Sequence, residues 1–280
     1  MMGAVEDIIL RHGQRGMDVL REYCPPEFCR EAAECIFRAR RGNVLLLTGF
    51  YIAGCGVGET DGPPGTLFLA KALAALGFAP VIVTDGHCRA FFDGEGVPVV
   101  CPGVDDGEDS YAALLDDYDP ALLISIERCG ENVRGDYANM RGVSIADHTA
   151  KADLLFPLAA KRGIPTIGVG DGGNEIGMGN LAEIISEKLS LVPCKVPADH
   201  LVIATVSNWG AYGLCAYLER LSGLALLPGF DAVMEYLNRI VALGCVDGVT
   251  KTAAATVDGY SPEVKREVLD ALRDAVDADI

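Results

Sequence analysis

A chain of 280 residues that is 50% hydrophobic and 22% charged is long enough to bury a sizeable core, as one large α/β domain or two small ones. Its formal net charge of -17 excludes nucleic acid and anionic membrane surfaces as partners, since both need a basic footprint. No stretch reaches the roughly 18 uninterrupted apolar residues of a spanning helix. The opening MMGAVEDIILRHGQRG carries Glu6 and Asp7 and no long apolar core, so it is not a secretory signal. The ten cysteines are scattered singly, with Cys24, Cys29 and Cys35 the one close group and no CxxC pair or zinc-site spacing. Reduced, buried thiols and a cytoplasmic location follow.

Taken in order, residues 3–41 read as two helices broken at Cys24-Pro25-Pro26, an N-terminal helical extension packed on the rest. Val44 to Thr48 is a solid apolar run, as a buried parallel strand would be. A glycine-rich loop containing GETDGPPG follows (Gly58 to Gly65), and Pro63 and Pro64 open a helix to Leu76. Pro80 to Asp85, Val97 to Val100 and Ala121 to Ile126 are further strands, and the acidic run Asp105 to Asp109 between them reads as a solvated loop. Glu127-Arg128 ends the strand at 121–126, and a long polar loop, Cys129 to Asp147, leads to a helix from Thr149 to Lys161. The strand Ile164 to Val169 enters TIGVGDGGNEIGMGN, and a helical pattern, Leu181 to Leu189, leaves it. Leu201 to Val206 is the last strand, ended by Ser207-Asn208-Trp209-Gly210 and a helix to Leu221. Asp231 to Leu243 is helical, and Ser261 caps a final helix with Pro262 at its first position.

Strands alternating with helices predict a mostly parallel twisted sheet with helices on both faces, a Rossmann-like three-layer α/β/α domain spanning 1–280. Each polar motif follows the C-terminal end of a strand, the edge where open parallel sheets bind ligands. The densest is Gly170 to Gly179, where glycines surround Asp171, Asn174 and Glu175. Such a turn lets backbone approach a small ligand, but it brings carboxylates and no lysine, unlike a phosphate-binding loop.

Together ETDGPPG (59–65), IER (126–128), the loop Asn132 to Asp147, GDGGNEIGMG (170–179) and SNWG (207–210) resemble the D-glutamate cyclase family over residues 43–260. The resemblance implies conversion of D-glutamate to 5-oxo-D-proline and water, a carbon–oxygen lyase reaction on a small acidic amino acid. Longer members carry an additional N-terminal domain, which the first 40 residues are too short to supply. The chemistry needs a base near the α-amine, an acid near the departing oxygen, oxyanion donors and a cation for a carboxylate. Glu175 and Asp171 are the candidates for base and acid. Asn174, Asn208 and the amides of Gly172 and Gly173 would hold the oxyanion. Glu59 and Asp61, with Gly62, would receive the ammonium group.

Arg128 is the first candidate for a substrate carboxylate, with an ion pair to a neighbouring acid as its alternative, and Arg141 is the second. His87 and His148 are further candidate bases. Tyr137 and Asn139 lie in a loop long enough to form a lid, and Trp209 is expected to pack at a helix start. No cofactor is required by the sequence, but Asp61, Asp171 and Glu175 would bind Mg²⁺ or Mn²⁺ if their loops meet. Two other functions fit the same loops: a Mg²⁺-dependent nucleotide or phosphate-ester enzyme, and a non-catalytic amino-acid-binding domain. Base rates alone favour a homodimer.

Overall fold

The computed structural model describes residues 5–13 and 15–278; residues 1–4, 14, 279 and 280 of the expected domain lie outside them. In chain order the elements are α1 (Val5–Ile9), α2 (Met17–Arg21), α3 (Phe28–Arg38), β1 (Asn43–Thr48), β2 (Tyr51–Ile52), β3 (Val57–Gly58) and α4 (Pro63–Ala75). Then come β4 (Ala79–Val83), α5 (Gly86–Arg89), β5 (Val99–Val100), α6 (Glu108–Tyr118), β6 (Leu122–Ile126), α7 (Leu155–Arg162) and β7 (Thr166–Gly170). The last are α8 (Ala182–Ile184), β8 (His200–Ile203), α9 (Ser207–Ser222), α10 (Phe230–Ala242) and α11 (Pro262–Asp277).

Six strands form one sheet in the order β5-β4-β1-β6-β7-β8, parallel throughout. The central strands are buried along nearly their whole length, which is why they read as continuous apolar runs. α4 and α9 pack together over the sheet, with α1, α3 and α11 seated on α9, while α6 and α7 pack on each other and α7 on β7. The result is the expected three-layer α/β arrangement. From β1 the chain steps outward to β4 and β5, crosses back to β6, and steps outward the other way to β7 and β8. The loops after β1 and β6 therefore diverge and leave a crevice beyond the C-terminal strand ends.

Several local expectations change. The break at Cys24-Pro25-Pro26 stands, but the first expected helix is cut in two. His12 and Arg15 adopt left-handed backbone (φ 58° and 55°), so the chain turns between α1 and α2. The acidic run at 105–109 is half helix: Glu108 and Asp109 form the first turn of α6, where carboxylates face the positive end of the helix dipole. The helix expected from Thr149 starts at Leu155, because the Ala150 N–H donates to the Asp85 carboxylate at 2.9 Å. The Leu181–Leu189 pattern is a short α turn that widens into a π turn over Ile185–Leu189.

Candidate active site

The crevice is lined by buried carboxylates from four separate segments. Glu127 leaves β6 with left-handed backbone (φ 46°), a conformation that costs a non-glycine residue of order 1 kcal/mol. The turn aims its side chain at the start of α9, where Glu127 Oε2 accepts the Ser207 hydroxyl at 2.6 Å. Gly62 makes room for it: a Cβ there would stand 2.9 Å from the Glu127 Cβ and 2.7 Å from Thr48 Oγ1, and its φ of 94° also favours glycine. Beside it Asp61 accepts the N–H groups of Ser207 and Asn208, both at 2.8 Å. Asp61 thereby caps α9 from another loop.

The glycine-rich turn after β7 is stitched to the loop after β6: Gly130 N–H donates to the Asn174 carbonyl and Ile176 N–H to the Arg128 carbonyl. Within the turn, Gly173 N–H donates to Glu175 Oε2 at 2.7 Å. A Cβ on Gly172 would lie 2.7 Å from Glu175 Oε1 and 3.1 Å from Asn174 Oδ1, so only glycine allows these two side chains to sit so close. The loop after α10 brings Asp258 in with left-handed backbone (φ 53°). Asp247 anchors that loop, accepting the N–H groups of Val249, Thr250 and Gly259 and the Thr256 hydroxyl. Burial works against the Asp247 charge, yet these bonds hold its carboxyl below the usual range.

Arg15 supplies the cation. Its Nη2 donates to Asp171 at 2.9 Å and to Asp258, and reaches the Thr205 carbonyl at 3.4 Å. Burial opposes the Arg15 charge, but Asp171, Asp258 and Glu127 together raise its pKa well above the ordinary value. Above this layer is a cavity of about 450 Å³ lined by Arg15, Glu59, Glu127, Glu175 and Asp258, with Phe50, Tyr51 and Ile52 as an apolar wall. A small hairpin within the 129–147 loop overhangs it: Asn139 N–H donates to the Val143 carbonyl and Ile145 N–H to the Tyr137 carbonyl. Arg141 at the hairpin tip and Lys251 from the opposite loop also line the cavity.

Burial pushes Glu59, Asp61, Glu127, Asp171 and Glu175 up. Asp61 is raised to about 7, chiefly by burial. Glu59, Glu127 and Asp171 rise well above the carboxylate range for the same first reason, with neighbouring acids adding to it. Glu175 rises too, although backbone N–H groups at Gly172 and Gly173 favour its ionised form. The folded chain therefore keeps protons that the unfolded chain has lost. The stability they confer is complete below the ordinary carboxylate pKa and is lost as pH rises through the folded values. With Asp61 near 7, Tm in metal-free buffer is expected to fall between about pH 6 and about pH 8. Calorimetry across that interval checks it, and a flat or rising Tm would contradict it.

Of the residues singled out from the sequence, Glu59, Asn174, Glu175 and Arg141 line the cavity, while Asp61 and Asp171 lie beneath it. Arg128 does not reach it. Fully buried, it forms a two-point ion pair with Asp85 and donates to the carbonyls of Gly49 (3.1 Å) and Ala150 (2.6 Å). The alternative weighed for Arg128, a structural ion pair, is what the geometry supplies. Asn208 is also committed: its Oδ1 accepts the Gly62 and Gly65 N–H groups and its Nδ2 donates to the Thr60 carbonyl. It fastens α4 to α9 and does not line the cavity. The Gly173 amide holds Glu175 instead, and the Gly62 N–H is shared by Asp61 and Asn208. His148 stacks on Tyr51 at 4.2 Å and His87 meets the same ring edge-on at 5.2 Å, so both buttress the wall. Trp209 is buried as expected. For a metal, Asp171 groups with Asp61 and Asp258 on one side and with Glu127 and Glu175 on the other, each set within 4.8 Å. The expected trio Asp61, Asp171 and Glu175 is thus divided between two clusters.

The family model for D-glutamate cyclase-like proteins, C-terminal region, matches residues 5–273. The chain belongs to the D-glutamate cyclase-like family. D-glutamate cyclase, mitochondrial, from Homo sapiens is 34% identical over 266 residues, an alignment covering 82% of this chain and 42% of that protein. The chain thus spans less than half the length of that relative. Among solved structures, an exopolyphosphatase-related protein from Bacteroides fragilis aligns with a TM-score of 0.42 at 10% identity, covering 90% of this chain and 59% of that one. The Bordetella bronchiseptica enzyme WbmH in complex with NAD+ gives 0.32 at 12% identity over 65% of this chain and 54% of that one. In this family member, Glu127, Arg15 and Asp258 are the site residues that sequence reasoning passed over. Glu127 had a signal, its place directly after a strand at the point where strand order reverses. Asp258 had a weaker one, the Asp-Gly turn. Arg15 had none beyond the Arg-Gly pair in a stretch patterned as helix.

Proposed function

We propose that this chain is a D-glutamate cyclase-type lyase, closing D-glutamate to 5-oxo-D-proline with loss of water. The observation that carries the reading is a pair of buried carboxylates, Glu127 and Glu175, on the floor of one cavity and in different hydrogen-bond environments. The reaction moves protons from the α-ammonium nitrogen to a γ-carboxyl oxygen, which leaves as water. It therefore needs one carboxylate ionised and one protonated at the same pH. Backbone amides favour the charged form of Glu175, which suits it to take the ammonium proton. Glu127 has Ser207 as its hydrogen-bond donor and stands among further acids, so it keeps a proton to deliver to the departing oxygen. Glu59 and Asp258 attract the ammonium group, and Arg141 and Lys251 at the mouth suit the α-carboxylate. Holding the substrate folded supplies much of the rate, because attack is intramolecular.

Glu127, Asp171 and Glu175 would also hold a divalent cation: their oxygens lie within 4.8 Å, and Asp171 Oδ1 is buried without a partner. Bound Mg²⁺ or Mn²⁺ would polarise the γ-carboxyl group. An acidic floor disfavours a phosphate ester. The ten free cysteines suit a reducing compartment such as the cytoplasm. Incubation of the purified chain with D-glutamate, with and without Mg²⁺ or Mn²⁺, is expected to yield 5-oxoproline by mass spectrometry. Binding without turnover of either enantiomer would leave an amino-acid-binding domain in its place.

A further inference from the structure

The carboxylate cavity has a neighbour. Across the hairpin tip is a second cavity of about 320 Å³, lined by Gly172 and by Asn132, Arg134, Ser190, Leu191 and Val192. Asn139, Met140, Arg141 and Asn174 line both. The first cavity already falls in the size range that encloses drug-sized ligands, more than a free amino acid requires. Asn174 sits buried at the junction. Its Nδ2 donates to the Ala138 carbonyl at 2.9 Å, which fixes the orientation of the amide. Its Oδ1 is then a buried acceptor without a donor, close over Gly172, whose added Cβ would lie 3.1 Å away. Buried acceptors are ordinarily paired, so this one awaits an N–H from whatever occupies the junction.

Charge narrows the choice of occupant. A γ-carboxylate brought over Glu127 and Glu175 meets the like charge of Glu175, which accepts the Gly173 N–H, whereas a neutral γ-amide does not. We infer that the two cavities together accept γ-D-glutamyl amides, with the glutamyl part over Glu127 and Glu175, the amide N–H on Asn174 Oδ1 and the amine substituent in the second cavity. This rests on the ring-closing reading above and changes its leaving group. The α-nitrogen forms a bond to the γ-carbonyl carbon while the γ C–N bond breaks, its electron pair staying on the departing nitrogen. The protons given up by the α-ammonium group pass through Glu175 and Glu127 to that nitrogen. The products are 5-oxo-D-proline and a protonated amine, a cation that the acidic cleft favours.

The test compares kcat/KM of the full chain for γ-D-glutamyl benzylamide and for D-glutamate, both read as 5-oxoproline formed. The amide is expected to exceed the free acid by about 10-fold or more. Val192→Trp, which fills the second cavity, is expected to lower the amide value by about 10-fold and the D-glutamate value by less than about 2-fold. D-glutamate turnover with the amide no faster overturns the inference and leaves the cyclase reading standing. Amide turnover without D-glutamate turnover upholds it and removes the free acid as substrate. No turnover of either sinks both, and an equal effect of Val192→Trp on the two substrates overturns the placement of the substituent.

Discussion

Glu127→Gln is expected to lower kcat for 5-oxoproline formation by about 10²–10⁴-fold, the usual contribution of a positioned acid or base. The substitution keeps the side chain's size and its contact with Ser207 but removes the proton that the departing oxygen needs. KM should change little, because binding draws on Glu59, Asp258 and the cations at the mouth. Glu175→Gln should fall comparably and lose the limb of the pH–rate profile on which activity rises as the base ionises. The two losses should not add in the double variant, since the proposed relay uses the two carboxylates as one unit. Rates of each variant over a pH series provide the measurement. If either variant keeps more than about a tenth of the parent kcat, its carboxylate is not in the relay.

Arg15→Ala should produce a large loss of stability. The guanidinium bridges Asp171 and Asp258, whose side chains are 0% and 3% exposed, so its removal strands two carboxylates where water cannot compensate them. Breaking a buried pair from one side costs about 3–5 kcal/mol. The loss should be smaller at about pH 6 than at about pH 8, because Asp171, pushed up by burial, escapes the penalty by taking up a proton. Urea unfolding at the two pH values is decisive. A lowered midpoint with an unchanged slope is expected, and an unchanged midpoint at the higher pH would mean that Arg15 adds nothing to the folded state. Arg15→Lys should recover the charge but not the bridging geometry.

The sheet was legible because its strands are buried on both faces and so spell themselves as apolar runs; β1, β6 and β7 needed no tertiary information. Convergence of the strand-end loops was legible for the same reason, since parallel strands place their C-terminal ends on one edge. Side-chain commitments within that edge were not. Arg128 and Glu127 are adjacent in sequence, and nothing in the pair says that the first turns inward to Asp85 and the second toward the cavity. The left-handed backbone at Glu127 makes that division, and it exists only because Gly62 lets α4 approach. Asn208 looked available because its claimants, the N–H groups of Gly62 and Gly65, come from a loop almost 150 residues earlier (separations of 146 and 143). α6 was missed because its acids were read as solvation rather than as the negative start of a helix.

The bond from Arg15 to Asp258 joins positions 243 residues apart. During synthesis Arg15 leaves the ribosome long before Asp258, which follows 243 residues later. The sheet and its helices are assembled from nearer neighbours, so a partly made or partly folded chain holds the scaffold and one half of the bridge. Contacts of such long range are the ones that folding completes slowly. Completion of the carboxylate site is therefore a late event in folding, and a probe of the Arg15–Asp258 bridge during refolding would report its closure, where a signal from helix content would report only the scaffold.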